Sequence, residues 1–95
     1  MKDIRSGVAT GDEVQQIFNL AKEKKFALPA VNVIGSNSIN SVLETASSLN
    51  SPVIIQFSHG GAIFNAGKGL SNDNHKAAIK GAIAGAKHVK ELSKA

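Results

Sequence analysis

PVIIQFSHGGAIFNAGKG, residues 52–69, is the stretch on which the fold turns. Its first half, Val53 to Phe57, is short, apolar and rich in β-branched side chains. Such a run predicts a buried strand, and a proline is tolerated at a strand's first residue. Its second half begins with Ser58, His59 and the pair Gly60-Gly61, and continues as a loop to Gly67-Lys68-Gly69 and Leu70. Polar residues on flexible backbone just past a buried strand are where α/β proteins hold ligands. The stretch is therefore read as a strand followed by a functional rim.

On the N-terminal side, Ile39, Val42, Leu43, Ala46 and Leu49 recur at helical spacing, and Asn50 and Pro52 end that helix. Gly35 and the polar SNSIN supply loop and cap before it. Further back, the apolar run Phe26 to Ile34, FALPAVNVI, predicts another strand, with Asn32 its one polar side chain. A first helix carries Val14, Ile17, Phe18 and Ala21 on one face. Thr10 and Glu13 ahead of it have capping-box spacing, and the lysines near Lys22–Lys25 suit its C-terminus. On the C-terminal side, the residues around Asn72 cap a last helix whose inner face is predicted as Ile79, Ala82, Ile83, Ala86 and Val89.

The order is helix, strand, helix, strand, loop, helix. Two βα units, opening ALPAVNV and SPVIIQF, repeat weakly at a period of about 25 residues. Continuous apolar strands joined by helices pair in parallel with both faces covered. Two parallel strands leave costly edges open. The expectation is α/β, the N-terminal part of a TIM (β/α)8 barrel, a short helix plus two βα units. Residues 1–95 are then one incomplete portion of a single domain, since a closed barrel takes about 250 residues.

Composition excludes several classes. With no cysteine, disulfide scaffolds, thiolate metal sites and thiol nucleophiles are out. No apolar run approaches the length of a membrane span, and residues 1–13 have no apolar core of a signal peptide. A cytoplasmic protein without membrane contact is expected. The net charge of +4 comes wholly from residues 66–95, six basic against two acidic. Lys76, Lys80, Lys87, Lys90 and Lys94 fall within an arc of about 80° on a helix. That stripe lacks arginine and interleaved aromatics, so it is read as a solvated face and no nucleic-acid partner is expected.

The candidate chemistry is sparse. GAIFNAGKG fails as a nucleotide P-loop: five residues precede Gly67-Lys68 where four are needed, and Gly69 replaces the magnesium-binding hydroxyl. It remains either an active-site loop whose amides and Lys68 meet an anion or a turn without a ligand. Asn32, inside an apolar strand, is open to two readings: a core amide with its hydrogen bonds satisfied or, if it lies near the strand's C-terminal end, a ligand contact. Ser58 has the same placement on the next strand and the same choice between a structural and a functional role. His59, His75 and His88 have no spacing that joins them in a metal site, although His59 lies beside the rim. Gly81 and Gly85 are read as letting the last helix approach the sheet.

Together the strings TGDEV, KFALPAVNV, SINSVLETA, SPVIIQFS, AGKG and AAIKGAIAGAKHV resemble, in order and over nearly all the chain, the class II fructose-bisphosphate aldolases. The resemblance implies a (β/α)8 barrel, usually a homodimer, that reversibly cleaves fructose 1,6-bisphosphate to two triose phosphates in glycolysis and gluconeogenesis. It implies zinc as Lewis acid and a monovalent cation at the phosphate. It also implies substrate contacts at Asn32 and at Ser58, the latter to the glyceraldehyde 3-phosphate part. His59 stands where the family has asparagine. The family's catalytic aspartate and zinc ligands follow the third strand, so residues 1–95 are expected to hold no catalytic and no metal-ligating residue. An inactive aldolase-derived interaction module, associating through open strand edges, is the rival expectation.

Overall fold

The computed structural model describes residues 5–95. Its centre is a parallel pair of strands, β1 (Ala30–Asn32) and β2 (Ile54–Gln56), in the register Ala30↔Ile54, Val31↔Ile55 and Asn32↔Gln56. Two flanking bonds extend the ladder, Ile54 N–H to Pro29 O at 2.8 Å and Val33 N–H to Gln56 O at 3.1 Å. Both strands are shorter than the apolar runs that contain them. A ladder needs a partner at every rung, and each strand here has a neighbour on one side only.

The helices are α1 (Asp12–Lys24), α2 (Gly35–Leu49), α3 (His59–Ala66) and α4 (Lys76–Ser93), with a short 3-10 turn at Asp73–His75. For α1, half of the capping box forms. The Glu13 carboxylate accepts from Thr10 N–H at 3.4 Å, whereas no side chain caps the helix from the other direction. Arg5 shares the same carboxylate oxygen at 3.0 Å. Lys25 closes α1 and Asn50 closes α2 in left-handed conformation, each returning its N–H to the last turn. The chain following β1 enters helix directly at Gly35, so SNSIN is the first turn of α2 and not a loop. Ser38 Oγ accepts from Ile34 N–H at 2.9 Å there.

Val33, Ile39, Ala62, Ala77 and Ala78 form the buried core. Packing of α4 corrects the predicted inner face. Ile79 and Ile83 are 53% and 45% exposed, and the face turned inward is Ala77, Ala78, Gly81 and Gly85. The reason is distance. A Cβ on Gly81 would sit 1.6 Å from the Ala62 carbonyl oxygen, and one on Gly85 2.5 Å from the Phe57 ring. The small residues thus bring α4 onto α3 and Phe57, not chiefly onto the sheet. A bond of 2.9 Å between His88 Nε2 and Asn40 Oδ1 joins α4 to α2.

On the sheet, Val31 and Ile55 are half-buried toward the helices, while Ala30, Asn32, Ile54 and Gln56 are exposed on the opposite face. Side chains alternate along a strand, so these four share one open face. That face is apolar at its N-terminal end and polar at its C-terminal end.

Candidate functional site

Asn32 and Gln56 are register partners at the C-terminal ends of β1 and β2, both exposed on the open face. Asn32 is therefore not a core amide. Ser58, two residues beyond Gln56, continues the same strand parity onto the rim. It is exposed and extended (φ −73°, ψ 164°), and its Oγ accepts from Gly61 N–H at 3.0 Å. Ser58 is thus the N-cap of α3. A hydroxyl that accepts in a cap retains its own O–H, which can still be donated to a ligand oxygen. Cap and ligand contact are compatible in one side chain.

This arrangement overturns the loop expected after Ser58, because residues 59–66 form α3. Gly60 and Gly61 are not loop breakers here. A Cβ at Gly61 would meet Ser58 Oγ at 3.1 Å and Val33 O at 3.3 Å, so its bareness lets α3 begin against the end of β1. Replacing Ser58 by alanine is expected to cost about 1 kcal/mol of stability, measured by urea unfolding, with Ser58→Asp restoring the cap.

The AGKG turn lies at the other end of α3, about 12 Å from its cap along eight helical residues. Gly67 is the C-cap, with φ 95°, and Leu70 N–H closes the turn on Gly67 O at 3.1 Å. The C-terminal end of a helix carries partial negative charge, which disfavours an anion. That polarity counts against a phosphate cradle at these amides, while Lys68, exposed in the turn, carries the opposite charge.

Three side chains matter that spacing did not single out. Gln56 is one, at the register position beside Asn32. Its place two residues before Ser58 was the available signal. Asn65 is another: its Oδ1 accepts from Gly35 N–H at 3.0 Å, tying α3 to the end of the β1 unit, while its buried Nδ2 has no partner among the described residues. The third is His75, whose ring meets that of His59 edge to face, with centroids 5.7 Å apart. Sixteen positions separate the two histidines, and only the tertiary packing unites them.

Two concavities among the described residues lie away from this site. One, about 480 Å³, lies at the N-terminal end of the sheet among Leu20, Phe26, Pro29 and Pro52. A second, about 250 Å³, is lined by Gly35, Ile39, Asn65, Gly85 and His88. Asn32 and Ser58 instead mark an open surface. Among the described residues no three His, Cys, Asp or Glu side chains gather closely enough to hold a metal ion, and no helix is long and apolar enough to cross a membrane.

Comparison with known proteins gives a consistent result. The family model described as fructose-bisphosphate aldolase class-II matches residues 12–95. The chain is 57% identical over 91 residues to the fructose-bisphosphate aldolase class 2 of Escherichia coli K12, covering 95% of this chain and 25% of that protein. It is 62% identical over 92 residues to the class 2 enzyme of Buchnera aphidicola from Schizaphis graminum, covering 95% and 26%. Among solved structures, the fructose-bisphosphate aldolase of Campylobacter jejuni superposes with a TM-score of 0.86 at 55% identity, over 96% of this chain and 26% of that one. The chain spans about a quarter of the length of these relatives.

Proposed function

Because this chain belongs to the class II fructose-bisphosphate aldolase family, we propose that it supplies the first two βα units of a (β/α)8 barrel that cleaves fructose 1,6-bisphosphate. The reaction is the reversible aldol cleavage to dihydroxyacetone phosphate and glyceraldehyde 3-phosphate. The observation that carries this reading is the placement of Asn32 and Ser58. Both stand at the C-terminal ends of parallel strands, Asn32 on the face turned away from the helices. In a closed barrel that face lines the interior, and its C-terminal end is the mouth where substrates bind.

In this reading Asn32 offers its amide to a substrate hydroxyl or carbonyl, and Ser58 donates its O–H toward the glyceraldehyde 3-phosphate part. The zinc ion implied by the family does not fit the residues of this chain, since the described residues lack a suitable cluster and no Asp-His pair occurs in residues 1–95. Its ligands and the general acid/base belong to later strands, so residues 1–95 alone are inactive in this account. A cytoplasmic homodimer acting on sugar phosphates, with a monovalent cation at the phosphate, completes the proposal.

The polypeptide that carries this sequence within a whole barrel is expected to release triose phosphate from fructose 1,6-bisphosphate. A chelator should abolish the release and Zn²⁺ restore it. A folded, zinc-loaded enzyme that leaves the bisphosphate intact would refute the assignment, and would favour the rival interaction module.

A further inference from the structure

We propose that His59 and His75 form a two-histidine binding site for a borderline d-block cation such as Ni²⁺, Cu²⁺ or Zn²⁺, built from residues of this chain alone. His59 is the first residue of α3, and His75 is the residue that leads into α4. Both are exposed, and their rings meet edge to face at 82° with centroids 5.7 Å apart. Two imidazoles bound to one tetrahedral ion, each at about 2.05 Å, have centroids about 5.3 Å apart. The observed separation is within a few tenths of an ångström of that value. Both rings are exposed and free to turn about their Cβ–Cγ bonds, the motion by which a nitrogen of each would reach a shared ion.

The spacing is held by the fold. Gly81 and Gly85 seat α4 directly on α3 and Phe57, so the starts of the two helices cannot drift apart without opening that contact. His75 and the preceding Asn74 both have positive φ, 61° and 56°. Left-handed backbone costs about 1–2 kcal/mol at a residue with a Cβ. That strain is sustained in the turn that brings the His75 ring against His59.

The field at this place also sets the kind of ion. Both rings sit at helix N-termini, whose partial positive charge opposes a cation. Binding must come from donation by imidazole nitrogen. That selects borderline ions over Ca²⁺ and Mg²⁺, which require oxygen ligands. With two protein ligands, water fills the remaining positions.

The test is equilibrium dialysis of tag-free protein against Ni²⁺, comparing wild type with His59→Ala, His75→Ala and, as a control, His88→Ala. All other sites contribute equally to the four proteins. Because His59 and His75 are exposed, their variants should keep the wild-type circular dichroism. The expected result is that each of the two loses the same increment of Ni²⁺ uptake, that His88→Ala keeps it, and that excess Mg²⁺ does not displace it. Undiminished uptake by either the His59 or the His75 variant would overturn the site. So would equal loss in His88→Ala, or an absence of uptake by wild type. The readout involves no catalysis, so it stands or falls separately from the aldolase reading.

Discussion

Gly81→Ala is expected to be the most damaging single-methyl change in the chain. The added Cβ would lie 1.6 Å from the Ala62 carbonyl oxygen, 2.6 Å from the Ala62 carbonyl carbon and 3.0 Å from Ala66 N. All three obstacles are backbone of α3, which cannot rotate aside as a side chain can. Relief requires α4 to move off α3, uncovering Ala62, Ala77 and Ala78 together. Overpacking commonly costs about 1–3 kcal/mol, and a rigid backbone obstacle belongs at or above the top of that range. Against a typical total of about 5–15 kcal/mol, this is enough to deplete the soluble protein. Gly85→Ala meets the Phe57 ring at 2.5 Å and should cost less, because a ring can shift. Gly60→Ala meets nothing within 4 Å and sits in a helix, where alanine is favoured over glycine by up to about 1 kcal/mol. Urea unfolding midpoints should rank Gly60→Ala above wild type, then Gly85→Ala, then Gly81→Ala. Equal stability of Gly81→Ala and wild type would show that α3 and α4 are not in contact as described.

The second large effect concerns activity. In residues 1–95 Asn32→Ala removes an exposed side chain, so the stability of this chain should change by no more than about 0.5 kcal/mol. In the whole enzyme the same change should delete the hydrogen bonds proposed between Asn32 and substrate. A bond to a charged or strongly polarised group is worth about 1.5–3 kcal/mol, which corresponds to a fall of roughly 10- to 150-fold in kcat/KM. Steady-state cleavage of fructose 1,6-bisphosphate measures it. The two changes are opposite in kind, Gly81 failing in stability and Asn32 in turnover. An Asn32→Ala enzyme with wild-type kcat/KM would remove Asn32 from the site.

Much of this molecule was legible before its structure. The β-branched runs before Asn32 and Ser58 are strands, and the spacing of Ile39, Val42, Leu43 and Ala46 is that of α2. Asn32 and Ser58 could be placed at strand ends because strand parity and length are local properties. What was hidden depends on contacts across the chain. α3 reads as loop because of Gly60-Gly61, yet Gly60 sits in open helix and only Gly61 is crowded, by Val33 O and Ser58 Oγ. The inner face of α4 was assigned to its isoleucines because large apolar side chains are usually buried. At the close approach of α4 to α3 and Phe57 only small residues fit, so Gly81 and Gly85 go inward and Ile79 and Ile83 stay out. The expected cap of α1 half-formed because Glu13 N–H bonds the Thr10 carbonyl oxygen and not its hydroxyl. No local pattern announces that His59 and His75 meet or that Asn65 reaches Gly35. The resemblance, and no local pattern, is what suggests the proposed activity.

The most direct test of that setting is a crystal structure of the whole enzyme with fructose 1,6-bisphosphate or glyceraldehyde 3-phosphate bound. The account predicts ligand density within hydrogen-bonding distance of the Asn32 amide and the Ser58 hydroxyl, at the C-terminal ends of β1 and β2. Ligand seated on the helix-covered side of the sheet, or at the AGKG turn, with Asn32 and Ser58 untouched, would contradict it.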